Sequence, residues 1–73
     1  MTGNTSYKFS VGDAITIYGL MGTPFNGKVE KQEKCNGMNA YHVSYRDNHG
    51  RKKSFNILER LLLEWNPSYN AAK

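Results

Sequence analysis

Turn signals recur along this chain at short intervals, and the runs between them alternate apolar with polar residues. Gly12-Asp13, the glycine- and proline-containing stretch 19–24, Asn36-Gly37 and Asn48-His49-Gly50 mark the breaks. Alternation with a period of two belongs to strands, because successive side chains on a strand point to opposite faces. In residues 14–18 the β-branched Ile15 and Ile17 share one face and Thr16 and Tyr18 the other. Residues 25–31 repeat the pattern, with Phe25, Gly27 and Val29 opposite Asn26, Lys28 and Glu30. A glycine inside a strand marks a tight bend or a close backbone approach, which is the expectation for Gly27.

Residues 33–39 read as a polar hairpin tip around Asn36-Gly37, a strong two-residue turn signal. Residues 40–45 form a third strand with Tyr41, Val43 and Tyr45 on one side. A fourth, 52–57, places Lys53, Phe55 and Ile57 together. Upstream, Tyr7, Phe9 and Val11 also alternate with Lys8 and Ser10. Residues 58–65 are rich in helix formers and stop before Asn66-Pro67; a helix beyond Pro67 is allowed, since proline suits a first helical position. Short strands, close turns and a helical end predict a mainly β domain: a small curved β-barrel closed by a short C-terminal helix, which leaves few strand edges unpaired.

Seventy-three residues make one domain, expected over 9–73 behind a flexible segment 1–8. A chain this small buries only ~60% of the surface it exposes when unfolded, which leaves no space for a core together with an enclosed active site. No carboxylates are paired for acid–base work, and nothing brings Ser, His and Asp together, so a non-enzymatic role is expected. Cys35 has no partner for an internal disulfide, and with only His42 and His49 it cannot complete a zinc site. It reads as a reduced thiol in a turn, in agreement with a reducing compartment; no cofactor is implied. No apolar run approaches the ~20 residues of a membrane span.

A formal net charge of +4 favours polyanions as neighbours. Part of it is clustered: Arg46, Arg51, Lys52 and Lys53 fall within eight residues, opposed by Asp47. These cations are candidate phosphate contacts for RNA or DNA, although Lys52 and Lys53 point to opposite faces if both lie on one strand. The alternative is a solvated hairpin tip. Lys28, Lys31 and Lys34 form a second stripe, diluted by Glu30 and Glu33. His49 reads as a surface turn residue and His42 as a sheet-surface residue. Trp65, after three leucines, packs over one end of the barrel or, with residues 61–65, offers a protein-docking surface.

Several of these runs resemble the chromo-barrel domain, an SH3- or Tudor-like barrel of chromatin proteins. Phe9-Ser10-Val11-Gly12-Asp13 resembles its opening, and Phe25-Asn26-Gly27-Lys28-Val29 its second strand. Tyr41-His42-Val43-Ser44-Tyr45 resembles its Tyr-x-Val/Ile-His-Tyr strand, and Arg60-Leu61-Leu62 the Arg-plus-apolar run that closes it. The match spans residues 9 to 65. The resemblance implies a non-catalytic nuclear module that targets histone acetyltransferase or deacetylase complexes to the histone tail or nucleosome. It also implies an aromatic cage for methylated lysine, whose bulky, weakly hydrated cation is attracted by ring faces. Phe25 and Tyr45 match cage positions, and Tyr18 or Gly19 falls where a further wall would come; the rings of Tyr18, Phe25 and Tyr45 also suit stacked bases, against the alternative that Phe25 and Tyr45 only fill the core. Asn48 and Lys52 stand where the family commonly has tryptophans, so the implied cage is reduced, and Lys52 is expected to bring a like charge near the ligand. Phe55 keeps a third aromatic that the family more often uses in the core.

Overall fold

The structure is a computed structural model that describes residues 7–19 and 22–68. Four strands follow one another, β1 (Ala14–Tyr18), β2 (Pro24–Cys35), β3 (Met38–Arg46) and β4 (Lys52–Leu58), and a helix α1 (Glu59–Trp65) ends the described chain. Each strand pairs antiparallel with the next, so the sheet order equals the chain order. Mainly β structure with a short C-terminal helix is therefore what the alternation predicted. The sheet is open: among the described residues no ladder joins β1 to β4, and α1 packs against β1, β3 and β4 instead.

Register follows hydrophobicity. Val43 faces Val29 on one side and Phe55 on the other, while Tyr41 faces Ile57. Val29, Tyr41, Val43 and Ile57, with Ile15, Ile17, Phe9 and Leu62, form the buried core on the inner face of the sheet, and Phe55 packs half-buried against it. Fully burying each such side chain contributes roughly 1.5–3 kcal/mol. Gly27 is the close approach anticipated from the sequence: a Cβ there would lie 2.5 Å from Ile17 Cδ1 and 2.6 Å from the Ser44 carbonyl oxygen.

Two boundaries differ from expectation. The predicted hairpin tip 33–39 is mostly strand, because β2 continues to Cys35 and β3 starts at Met38. Only Asn36 and Gly37 turn, both with positive φ (52° and 81°), as the tight two-residue hairpin loop requires. Cys35 is thus the exposed last residue of β2 rather than a turn residue. The alternation breaks because a β-bulge between Val29 and Lys31 makes Glu30 an extra residue.

Tyr7, Phe9 and Val11 do not form a strand. The backbone there bonds side chains instead of a ladder. Lys8 N–H donates to Glu59 Oε2 (2.9 Å), Phe9 N–H to the Tyr41 hydroxyl (3.1 Å), and Gln32 Nε2 to the Phe9 carbonyl (2.9 Å). Phe9 is buried, and Val11 points to solvent at 61% exposure. The Met1–Ser6 part of the expected flexible segment lies outside the described residues.

Helix α1 is too short to be stable alone and is held by packing, with Leu62 fully buried. Glu59 in its first turn suits the helix dipole. The helix stops at Asn66, which leaves helical geometry (φ −132°) before Pro67, as residues preceding proline tend to do. Of the helix allowed beyond Pro67, Pro67 and Ser68 are helical and the remainder is outside the described residues.

Asn66 has a second role. Its Oδ1 accepts from Thr16 N–H (2.8 Å), and its Nδ2 donates to the Thr16 carbonyl (3.1 Å) and the Leu62 carbonyl (3.0 Å). One buried side-chain amide thereby satisfies part of the free edge of β1 and ties it to α1.

Candidate functional site: an aromatic rim and a divided basic cluster

Each described element contributes one ring to a continuous file. Phe25 of β2 lies 5.1 Å from Tyr45 of β3, Tyr45 6.2 Å from Phe55 of β4, Phe55 6.4 Å from Trp65 of α1, and Trp65 6.1 Å from Tyr18 of β1 (centroid distances). The last three contacts are edge-to-face at 68–77°, the geometry that the ring quadrupole favours. Local folding explains the placement. Phe25 and Tyr45 sit on the inner face by alternation, and Gly27, opposite Tyr45, leaves that position without a side chain. Tyr18 has the parity of the outer face, but it ends the edge strand where α1 finishes, so its ring reaches Trp65.

None of the five rings is sealed in. Tyr18 is 41% exposed, and the other four are half-buried. Among the described residues no hydrogen bond engages the Tyr18 or Tyr45 hydroxyl. Tyr18, Phe25 and Tyr45, the three ring candidates, do lie in one file, in which no described ring contact joins Tyr18 to Phe25, and Phe55 and Trp65 complete the path between Tyr45 and Tyr18. Sequence reasoning left Phe55 to the core and Trp65 to packing. A signal for both was present: Phe55 shares a face with Lys53 and Ile57, and Trp65 falls three residues after Leu62, on the same helix face.

The basic cluster is divided by the sheet. Lys53 is the direct cross-strand partner of Tyr45 and so shares the face with the rings; Lys52 is the partner of Arg46 and projects to the reverse face. The like charge near the rings is therefore Lys53 and not Lys52, whose Nζ lies 3.5 Å from Glu30 Oε2. Arg51 is in the turn before β4. Arg46, Arg51, Lys52 and Lys53 do not form one row, because the strand period separates the last two.

Asp47 organises the turn. Its Oδ1 accepts the N–H groups of His49 and Arg51 (2.9 Å each), and the Arg46 Nη1 donates to the Gly50 carbonyl (2.8 Å). The two bonds to Asp47, that from Arg51 N–H first and then that from His49 N–H, hold its carboxyl below its ordinary pKa, and Lys53 adds to the effect. Glu30 is lowered as well, chiefly by the Ser44 hydroxyl that donates to it and then by Lys52 and Lys28. His49 is exposed in the turn, and His42, on the outer face, meets Asn56 Oδ1 through Nδ1 (2.7 Å).

Chemically, the rim offers π-faces of graded exposure to a bulky cation or a flat ligand. Among the described residues no group of His, Cys, Asp and Glu side chains is placed to hold a metal ion, and no helix is long and apolar enough to cross a membrane. Comparison with protein-family models, with curated proteins and with solved structures gives no match.

Proposed function

We propose that this chain is a chromatin-targeting module of the chromo-barrel kind, which binds a methylated lysine of a histone tail at its aromatic rim. The observation that carries the reading is the file of five half-open rings, one from each element. A cage must hold its walls at angles to one another around a cation, and rings anchored on separate elements are fixed in that relation before ligand arrives. The helix bridging the open side of the sheet supports a barrel-like closure without a β1–β4 ladder. Tyr18, Phe25 and Tyr45 are the ligand-facing walls in this reading; Phe55 and Trp65 brace them and offer further ring surface. Lys53 opposes a cationic ligand, and Asp47 offsets part of its charge. The module would act in the nucleus as a non-catalytic part of a histone acetyltransferase or deacetylase complex.

Walls this exposed contribute only ~0.5–1 kcal/mol each, so binding is weak and in fast exchange. The test is NMR titration of the 73-residue chain with trimethylated and unmodified forms of one histone peptide. The expected result is a preference of about tenfold for the methylated peptide, equivalent to ~1.4 kcal/mol. The Trp65 indole and the Tyr18 and Tyr45 ring signals should move most. Equal response to both peptides, or a response confined to other surfaces, would sink the reading.

A further inference from the structure

The outer face of the sheet carries a charged cluster that the rim does not use. Arg46 and Lys52 are direct partners across β3 and β4, so both side chains project to this face. Like charges opposite each other on a ladder are destabilising unless something of opposite sign lies near. One row further along, Lys28 faces Ser44. With Asn26, Gly27, Ser44 and Tyr45, these three cations line a shallow depression of about 320 Å³ whose described lining contains no acid. Glu30, turned by the bulge, stands beside it, already engaged by Ser44 and 3.5 Å from Lys52. It offsets one of the three charges. Lys31 extends the same face opposite His42. Successive rows along β3 are about 7 Å apart, a step similar to that between neighbouring phosphates on one strand of nucleic acid.

We propose that this outer face binds the phosphate backbone of a nucleic acid, with Lys28, Arg46 and Lys52 as the contacts and Lys31 extending the track. The cations are exposed and run along the strands; they do not converge on a buried donor, as a pocket for one phosphoryl group would require. Phosphodiester contacts of this kind position a partner without reading its sequence. The three cations project to the side of the sheet opposite the Phe25, Tyr45 and Phe55 rings, so the site stands whether or not the rim binds methyl-lysine. If both are correct, the domain holds a histone tail on one face and nucleic acid on the other.

The test is fluorescence anisotropy of the whole chain with a labelled duplex DNA and a single-stranded RNA of equal length, each over a salt series. Each phosphate contact should add about −0.9 to the log–log slope for duplex DNA and about −0.7 for the single strand, and the tighter binding at equal salt concentration identifies the source. The Lys28→Gln/Lys52→Gln variant changes only exposed side chains, and its slope on duplex DNA should be smaller by about 1.8. Glu30→Gln should tighten binding by releasing Lys52, and Tyr18→Ala should leave it unchanged. The proposal is overturned if the Lys28/Lys52 variant keeps the parent slope. It is equally overturned if Arg51→Gln/Lys53→Gln takes the larger loss, or if a phosphoserine peptide binds more tightly than either nucleic acid.

Discussion

Tyr41 and Tyr45 stand four residues apart on the same face of β3, yet their surroundings are opposite in kind. Tyr41 is fully buried, edge-on to Tyr7 (5.6 Å) and Phe9 (5.2 Å). Its hydroxyl accepts from Phe9 N–H and donates to Glu59, which also takes Lys8 N–H and Asn39 Nδ2. Three distant segments are thereby joined at one oxygen pair. Tyr45 is half-buried among Phe25 and Phe55, with no described partner for its hydroxyl. A single strand thus stabilises the fold at one end and presents ring surface at the other. The contrast shows why aromatic content alone does not locate a site: satisfaction of the polar atom and degree of burial separate a packing ring from an available one.

The contrast can be broken most severely at Gly27, which lies opposite Tyr45. Gly27→Ala should cost about 3 kcal/mol or more, because one of the atoms its Cβ would meet is backbone and cannot swing away. A urea titration that finds less than ~1 kcal/mol would show that β3 can shift and that the rim is not rigidly set.

Next comes Tyr41→Phe, expected to cost about 2–3 kcal/mol by leaving Phe9 N–H and Glu59 without their shared partner. Burial, then the Glu59 hydrogen bond, raise the Tyr41 pKa well above its ordinary value. The folded state therefore favours the neutral phenol: this contribution is complete below the unfolded value of about 10 and is lost as pH rises beyond it. The alkaline limb of the stability profile should be steep in the parent and shallower in Tyr41→Phe. The equivalent Tyr45→Phe change should cost less than ~0.5 kcal/mol, which is the sharpest form of the comparison.

Tyr18→Ala should change stability by less than ~1 kcal/mol, since the ring is exposed and its one described ring contact is with Trp65, while removing most of the preference for a methylated peptide. A large stability loss with the preference intact would move Tyr18 to the packing side of the contrast. The smallest effect is expected at Asp47. Its lowered pKa means a contribution present above the unfolded value of about 3.9 and lost as pH falls through the folded one. Asp47→Ala should flatten the acid limb of a pH series followed by circular dichroism, with the rim rings unchanged.

Much of the sheet was legible because its signals are local. Asn36-Gly37 demanded positive φ and found it, Gly27 marked a close approach, and the period of two assigned Ile15, Ile17, Val43 and Tyr41 to one face. The same period foretold that Lys52 and Lys53 would part. What was not legible depends on register or on distant residues. The length of β2 was hidden because its far half pairs through polar residues, and the bulge at Glu30 interrupts the alternation. The open sheet reflects a helix, rather than a β1–β4 ladder, lying between the two edges. The completed ring file required knowing that Phe55 faces Val43 and that Trp65 meets Tyr18 across 47 positions of sequence. Asn66 bonds Thr16 across 50 residues, a partnership that no window of sequence displays.

That last pairing has an effect on how molecules of this protein meet one another. A bare outer strand invites a neighbouring chain to extend the sheet, the first step toward fibrous association. At Thr16 both the donor and the acceptor that a stranger would need are occupied by a carboxamide from the same molecule. Asn66 is thus a built-in stopper: it imitates one peptide unit of a fifth strand and blocks that border at its middle residue.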